Sequence, residues 1–129
     1  MLVYYMTKKC KIIIDKIIFD ILLLDTPTAE IIWKNLPITS SVNVWGEEVY
    51  FYTDIDSQVE SEAKSIIEFG EIAYWPSGKA IAIGFGRTPI SKAGEIQLAD
   101  NCNIWATTKF DLKNLREIKP GCKARIEKK

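Results

Sequence analysis

The feature that most constrains this chain is a succession of short β-branched and aromatic runs, each cut by a turn signal within a few residues. Runs this short favour strands over helices. Lys11 to Asp15 predicts a first strand and Ile17 to Leu24 a second, apolar on both faces except at Asp20. Val42 to Trp45 and Val49 to Tyr52 flank Gly46-Glu47 and predict a hairpin. In its second arm, Val49 and Phe51 point one way, and Glu48, Tyr50 and Tyr52 the other. One face is core; the other is exposed or lines a pocket. Ile72 to Trp75 and Ala80 to Phe85 predict strands around a Pro76-Ser77-Gly78 turn. Asn103 to Phe110 and Cys122 to Ile126 complete the set.

Helices are few. Thr26 can cap and Pro27 suits the first helical position, opening a helix over Pro27 to Asn35 that Pro37 ends. Ala29, Ile32, Trp33 and Leu36 form its apolar stripe, so Trp33 is expected in the core, where truncation costs ~3–5 kcal/mol. Leu112 to Ile118 predicts a second short helix and Ala63 to Glu68 a third. Asp54 to Glu62 and Thr88 to Ala99 are expected to be mostly loop. Many short strands with two or three short helices predict a mainly β fold, a closed antiparallel barrel capped by helices. The 129 residues fit one domain, 1–129, with 1–8 as a loosely held extension; Met6 is an alternative start.

Composition removes several function classes. Formal net charge is zero, so no excess of cations is available to capture nucleic acid or an anionic membrane surface. The most apolar stretch, Ile12 to Leu24, is too short to span a bilayer, carries Asp15, Lys16 and Asp20, and has no small-residue cleavage site. The three cysteines, Cys10, Cys102 and Cys122, are scattered, which fits a reducing cytoplasm and thiols used as small core residues, with a single bridge left open. There is no histidine, which removes Ser-His-Asp and Cys-His catalysis and the commonest zinc ligand. Asp54, Asp56, Glu60 and Glu62 match no calcium loop and read as a solvated acidic segment. No metal and no cofactor is expected.

Three clusters crowd aromatics, prolines and small residues at strand ends, where binding groups tend to sit on a rigid scaffold. The first holds Trp45, Glu47 and Tyr50, and the second Tyr74, Trp75 and Pro76. The third holds Phe85, Arg87 and Thr88. These nine are the candidate binding residues, forming an aromatic-lined cleft for a small molecule or an extended peptide. Equally, such aromatics plug the ends of small barrels while Gly and Pro make turns, and Phe85 on its own reads as core. Glu47 and Glu48 are adjacent, so they point to opposite faces and form no carboxylate pair. An enzyme using Glu47 and a tyrosine as acid and base has no further pattern behind it.

The segments Asn43 to Phe51, Gly70 to Gly78 and Phe85 to Ser91 resemble those of the small cyclophilin-like proteins of bacteria and archaea that lack an assigned activity. The resemblance runs from Lys11 to Lys128, with Tyr74-Trp75-Pro76 followed by Gly78-Lys79-Ala80 as its most specific part. It implies a closed barrel of about eight strands with helices at the ends. Ser77 stands where the family has a second proline, and Gly84 where it has a second phenylalanine; Gly84 is expected to enlarge a pocket or loosen its strand. Thr28-Ala29-Glu30 is similar to the start of the first helix of true cyclophilins, and Leu112 to Ile118 to their second helix. The catalytic part departs from them. Ser40 to Glu48 has neither the arginine nor the phenylalanine of their site, and only Arg87, Arg116 and Arg125 occur in the chain. A binding domain is therefore the first reading, and a peptidyl-prolyl isomerase with a degenerate site the alternative.

Overall fold

The computed structural model describes residues 8–129. Of the expected N-terminal extension, residues 1–7 lie outside the described residues. Lys8 is tied down: its carbonyl accepts from Leu23 N at 2.9 Å, and its ammonium lies 2.8 Å from Glu30.

Among the described residues, ten strands form one antiparallel sheet: β1 (Lys9–Ile14), β2 (Ile17–Leu23), β3 (Ile38–Ser41), β4 (Asn43–Val44), β5 (Glu48–Tyr52), β6 (Lys64–Ile67), β7 (Glu71–Trp75), β8 (Ala80–Gly84), β9 (Ile96–Thr107) and β10 (Lys123–Lys128). Their spatial order is β3-β10-β1-β2-β9-β7-β8-β5-β4, with β6 added to β9. The two ends of that path are consecutive in the chain. Val42 alone separates β3 from β4, its N–H donating to Cys122 O at 2.8 Å and its carbonyl accepting from Gly121 N at 2.8 Å. One bent strand thus pairs with β10 through its first half and with β5 through its second, which all but closes the sheet into a barrel.

The interior follows from alternation. Ile12, Ile14, Phe51, Ile72, Tyr74, Ile81, Ile83 and Trp105 point inward and are fully buried. Each such side chain contributes ~1.5–3 kcal/mol by leaving water. In β2, Phe19 and Ile21 are buried while Ile18 and Leu22 are exposed, so this strand has one core face and not two.

The helix α1 (Pro27–Lys34) begins as expected, with Thr26 Oγ1 accepting from Ala29 N at 3.1 Å. Its burial falls on Thr28, Ala29 and Ile32. Trp33 is not a core residue: it is half-buried at the margin, its ring lying 4.6 Å from Lys128 Nζ and 5.6 Å from Lys8 Nζ. A short 3₁₀ helix covers Leu112–Glu117, started by Asp111 accepting from Lys113 N at 3.1 Å.

Three other expectations are corrected. The segment Ala63 to Glu68 holds strand β6, Lys64–Ile67, and not a helix. Lys64–Ile67 finds open backbone partners on β9, and pairing there outweighs a weak local helical preference. The segment Thr88 to Ala99 is loop only until Ile96, because β9 starts there and runs twelve residues to Thr107. The segment Asp54 to Glu62 is irregular, but Glu60 is not simply solvated. Its carboxylate accepts from Thr28 N at 2.9 Å and from Thr28 Oγ1 at 2.5 Å, and its own N–H donates to Asn103 Oδ1 at 2.9 Å. Asn103 Nδ2 reaches Thr28 Oγ1 at 2.9 Å, so one satisfied polar network joins α1, this loop and β9.

No helix among the described residues is long and apolar enough to cross a membrane.

Candidate functional site

The outer face of the barrel wall β5-β8-β7 carries a second, smaller apolar cluster of Ile67, Ala73, Ala82, Leu98 and Cys102. It exists because β9 is long. Its N-terminal part, paired with β6, lies over the wall, while its C-terminal part is a barrel strand paired with β7. Gly84 makes room for this layer: a Cβ there would sit 2.6 Å from Ile96 Cγ2. Gly84 therefore does not enlarge a pocket; Ile96, Ile67 and Leu98 fill the space.

Beside this layer the wall is hollow. The middle of β8 offers only Ala82, facing Tyr50 on one side and Ala73 on the other. Ala73 and Ala80 beside it are small too, while Trp45, Tyr50, Tyr52 and Trp75 supply large rings around them. The result is a cavity of about 170 Å³ lined by Trp45, Glu48, Tyr50, Tyr52, Trp75, Ala82, Leu98, Ala99 and Cys102. Glu48, Tyr50 and Tyr52 reach it by the period-two alternation of β5, and the two tyrosine rings meet edge-on with centroids 5.8 Å apart. Trp75 is seated by the turn after it: a Cβ on Gly78 would lie 2.2 Å from the indole.

The polar groups here are unusual. Three side-chain atoms among the described residues are buried without a partner, and two belong to residues that line this cavity: Glu48 Oε1 and Trp75 Nε1. The third, Trp105 Nε1, belongs to a residue of the barrel core. Glu48 is only 6% exposed, and desolvation pushes its carboxyl up to about 7. Burial, then the Tyr52 phenol, hold Tyr50 above the usual phenol range. Burial pushes the Cys102 thiol up to about 12, with Glu48 and Asp100 adding to the effect, so it is no nucleophile at neutral pH. No lysine or arginine lines the cavity.

The nine residues singled out from sequence are therefore divided. Trp45, Tyr50 and Trp75 line the cavity. Tyr74 is on the other face of β7, fully buried, its hydroxyl donating to Ile55 O at 2.5 Å. Phe85 is a core residue. Pro76 begins the β7–β8 turn, its carbonyl accepting from Lys79 N at 3.3 Å. Glu47 clasps the loop after β8: its N–H donates to Arg87 O at 2.8 Å, its carbonyl accepts from Phe85 N at 2.8 Å, and its Oε1 packs against Gly86. Arg87 is exposed in that loop. Thr88 is buried, its hydroxyl donating to Gln97 O at 2.6 Å. The cavity residues not on that list are Glu48 and Tyr52, which the alternation of β5 places on this face, Ala82 in the middle of β8, and Leu98, Ala99 and Cys102, which only the fold-back of β9 brings there.

Residues 8–127 match the family model described as Cyclophilin-like. The chain belongs to the cyclophilin-like family. Among solved structures, this cyclophilin-like chain is similar to the solution structure of a hypothetical protein from Archaeoglobus fulgidus, at 30% identity over 100% of both chains and a TM-score of 0.81. No curated protein matches it.

Proposed function

We propose that this cyclophilin-like domain is a binding module that takes a small molecule, or one ring-bearing side chain of a peptide, into the outer cavity. One observation carries the reading: the hollow is walled by aromatic side chains, and two of its lining residues, Glu48 and Trp75, each bury a polar atom that has no partner among the described residues. Leaving such an atom unpaired costs ~1–3 kcal/mol. Size sets the scale. A cavity of about 170 Å³ holds one ring, since apolar cavities of ~150 Å³ accept benzene.

The test is a thermal-unfolding screen of single-ring compounds against the wild-type protein and Ala82→Leu, which fills the floor of the hollow without removing a polar group. A ligand of the native state raises the unfolding temperature by mass action. The expected result is a rise with wild type that is absent in Ala82→Leu. Equal rises in both proteins would refute the placement.

A further inference from the structure

We infer that the outer cavity takes a small, weakly hydrated organic cation, such as a quaternary ammonium or an N-alkylated aromatic ring. The inference rests on the reading of the cavity as a ligand site.

The lining is unbalanced in charge. Four of its residues are aromatic, Trp45, Tyr50, Tyr52 and Trp75, its one carboxylate is Glu48, and it has no lysine or arginine. An aromatic face is the negative part of the ring quadrupole and attracts a cation. At the margin of the barrel that attraction is already used, since Lys8 and Lys128 both lie over the Trp33 ring. Among the described residues no lysine or arginine takes that place over the four cavity rings. The rings are open to a ligand: Trp45, Tyr50 and Trp75 are half-buried, Tyr52 is exposed, and the two tyrosines meet at 89° without stacking face to face.

Glu48 supplies the counter-charge. It is the only buried carboxylate among the described residues, and no ion pair there includes it. Its charge reaches the opposite wall: after burial, Glu48 is the next cause that raises the Cys102 thiol on β9. A cation in the cavity is drawn to that charge without needing a hydrogen bond, because Coulomb attraction acts over several ångströms in a poorly solvated space.

The type of cation follows from what the lining lacks. A hard metal ion needs several oxygen ligands, and the described residues hold no group of three or more His, Cys, Asp or Glu that could bind one. A primary ammonium has three N–H donors to satisfy, and the side chains of Ala82, Leu98 and Ala99 offer no acceptor. An alkylated nitrogen has no N–H and presents carbon to rings and methyls. A neutral ring leaves the Glu48 charge unanswered, and an anion is repelled by it.

The experiment compares N-methylpyridinium with toluene, which has the same shape and no charge, and with benzoate. Binding is followed at pH 8, where Glu48 is ionised, by NMR on protein labelled at its alanine methyls. The Ala82 signal is assigned by its loss in Ala82→Leu. N-Methylpyridinium should shift that signal and bind ~10-fold or more tightly than toluene, and benzoate should not bind. Glu48→Gln should remove most of the preference for the cation while toluene still binds, which separates loss of the charge from damage to the fold. Tyr52→Leu keeps apolar bulk without the ring and should also weaken the cation more than toluene.

Toluene or benzoate binding as tightly as N-methylpyridinium, or a preference unchanged in both variants, would overturn the cation assignment while leaving the cavity a ligand site. Binding of none of the three would overturn both readings.

Discussion

Replacing Glu48 by glutamine should stabilise the protein at about pH 8 relative to its effect at about pH 4.5. The cause is desolvation of a carboxyl that has no cation beside it and whose Oε1 is unpartnered. Its folded-state pKa is about 7, against an ordinary value of 4.5. Between those values the folded protein holds a proton that the unfolded chain has released. Stability from the protonated form is therefore fully present below about pH 4.5 and is lost as pH rises through about 7. The gap corresponds to roughly 3 kcal/mol, and less where water in the cavity reaches the carboxylate. Glutamine does not titrate, so the stability difference between the two proteins should change by about 2–3 kcal/mol across that window. The background is quiet because the chain has no histidine, the side chain that ordinarily titrates there. Urea unfolding followed by tryptophan fluorescence at several pH values measures the difference. A difference constant with pH would refute the desolvated-carboxyl account, whatever its sign.

Several other perturbations have defined outcomes. Gly84→Ala should cost ~1–3 kcal/mol in urea unfolding, because its methyl meets Ile96 Cγ2 at 2.6 Å. Trp33→Ala should cost less than the ~3–5 kcal/mol of a buried tryptophan, since half-burial leaves no closed cavity behind. Cys10 and Cys102, with thiols pushed up to about 11 and about 12, should resist a thiol reagent in the native protein and react on unfolding. Standard proline peptides should isomerise at the same rate with and without the protein. No guanidinium lines the cavity, and a strong acceleration lost in Arg87→Ala would overturn that expectation.

The barrel was legible wherever a strand could be read from its own residues. Alternation in β5, the short apolar runs of β1 and β2, and the Thr26-Pro27 helix start are all local signals. What local reading lost was set by distant partners. Ile38–Ser41 is four residues with three polar hydroxyls beside a proline, and it is a strand because β10 lies next to it. The same holds for β6, whose Lys-Ser start after Ala63 resembles a helix until β9 supplies the ladder. Trp33 shows the limit of a helical stripe: periodicity fixes which face turns inward but not how far the neighbouring strands extend to cover it.

The cavity was half legible for a related reason. Large aromatics announce themselves, so Trp45, Tyr50 and Trp75 stood out, but so did Tyr74, one residue from Trp75 and on the opposite face of the sheet. Composition cannot separate such neighbours; strand parity can, and it separates Glu47 from Glu48 in the same way. Glu47 drew attention as the turn residue, yet its backbone and carboxylate are occupied by the loop around Arg87. Glu48 is the first residue of β5 on the face of Tyr50 and Tyr52. Its importance comes from what surrounds it: Gly84 opposite, Leu98 and Cys102 laid over it by β9, and no lysine or arginine near enough to line the hollow. A carboxylate becomes informative only when its environment fails to satisfy it, and that failure is a property of the assembled wall. The small residues Ala82, Ala73 and Gly84 are equally decisive and equally silent in sequence, since an alanine that shapes a cavity floor reads the same as one that fills a core.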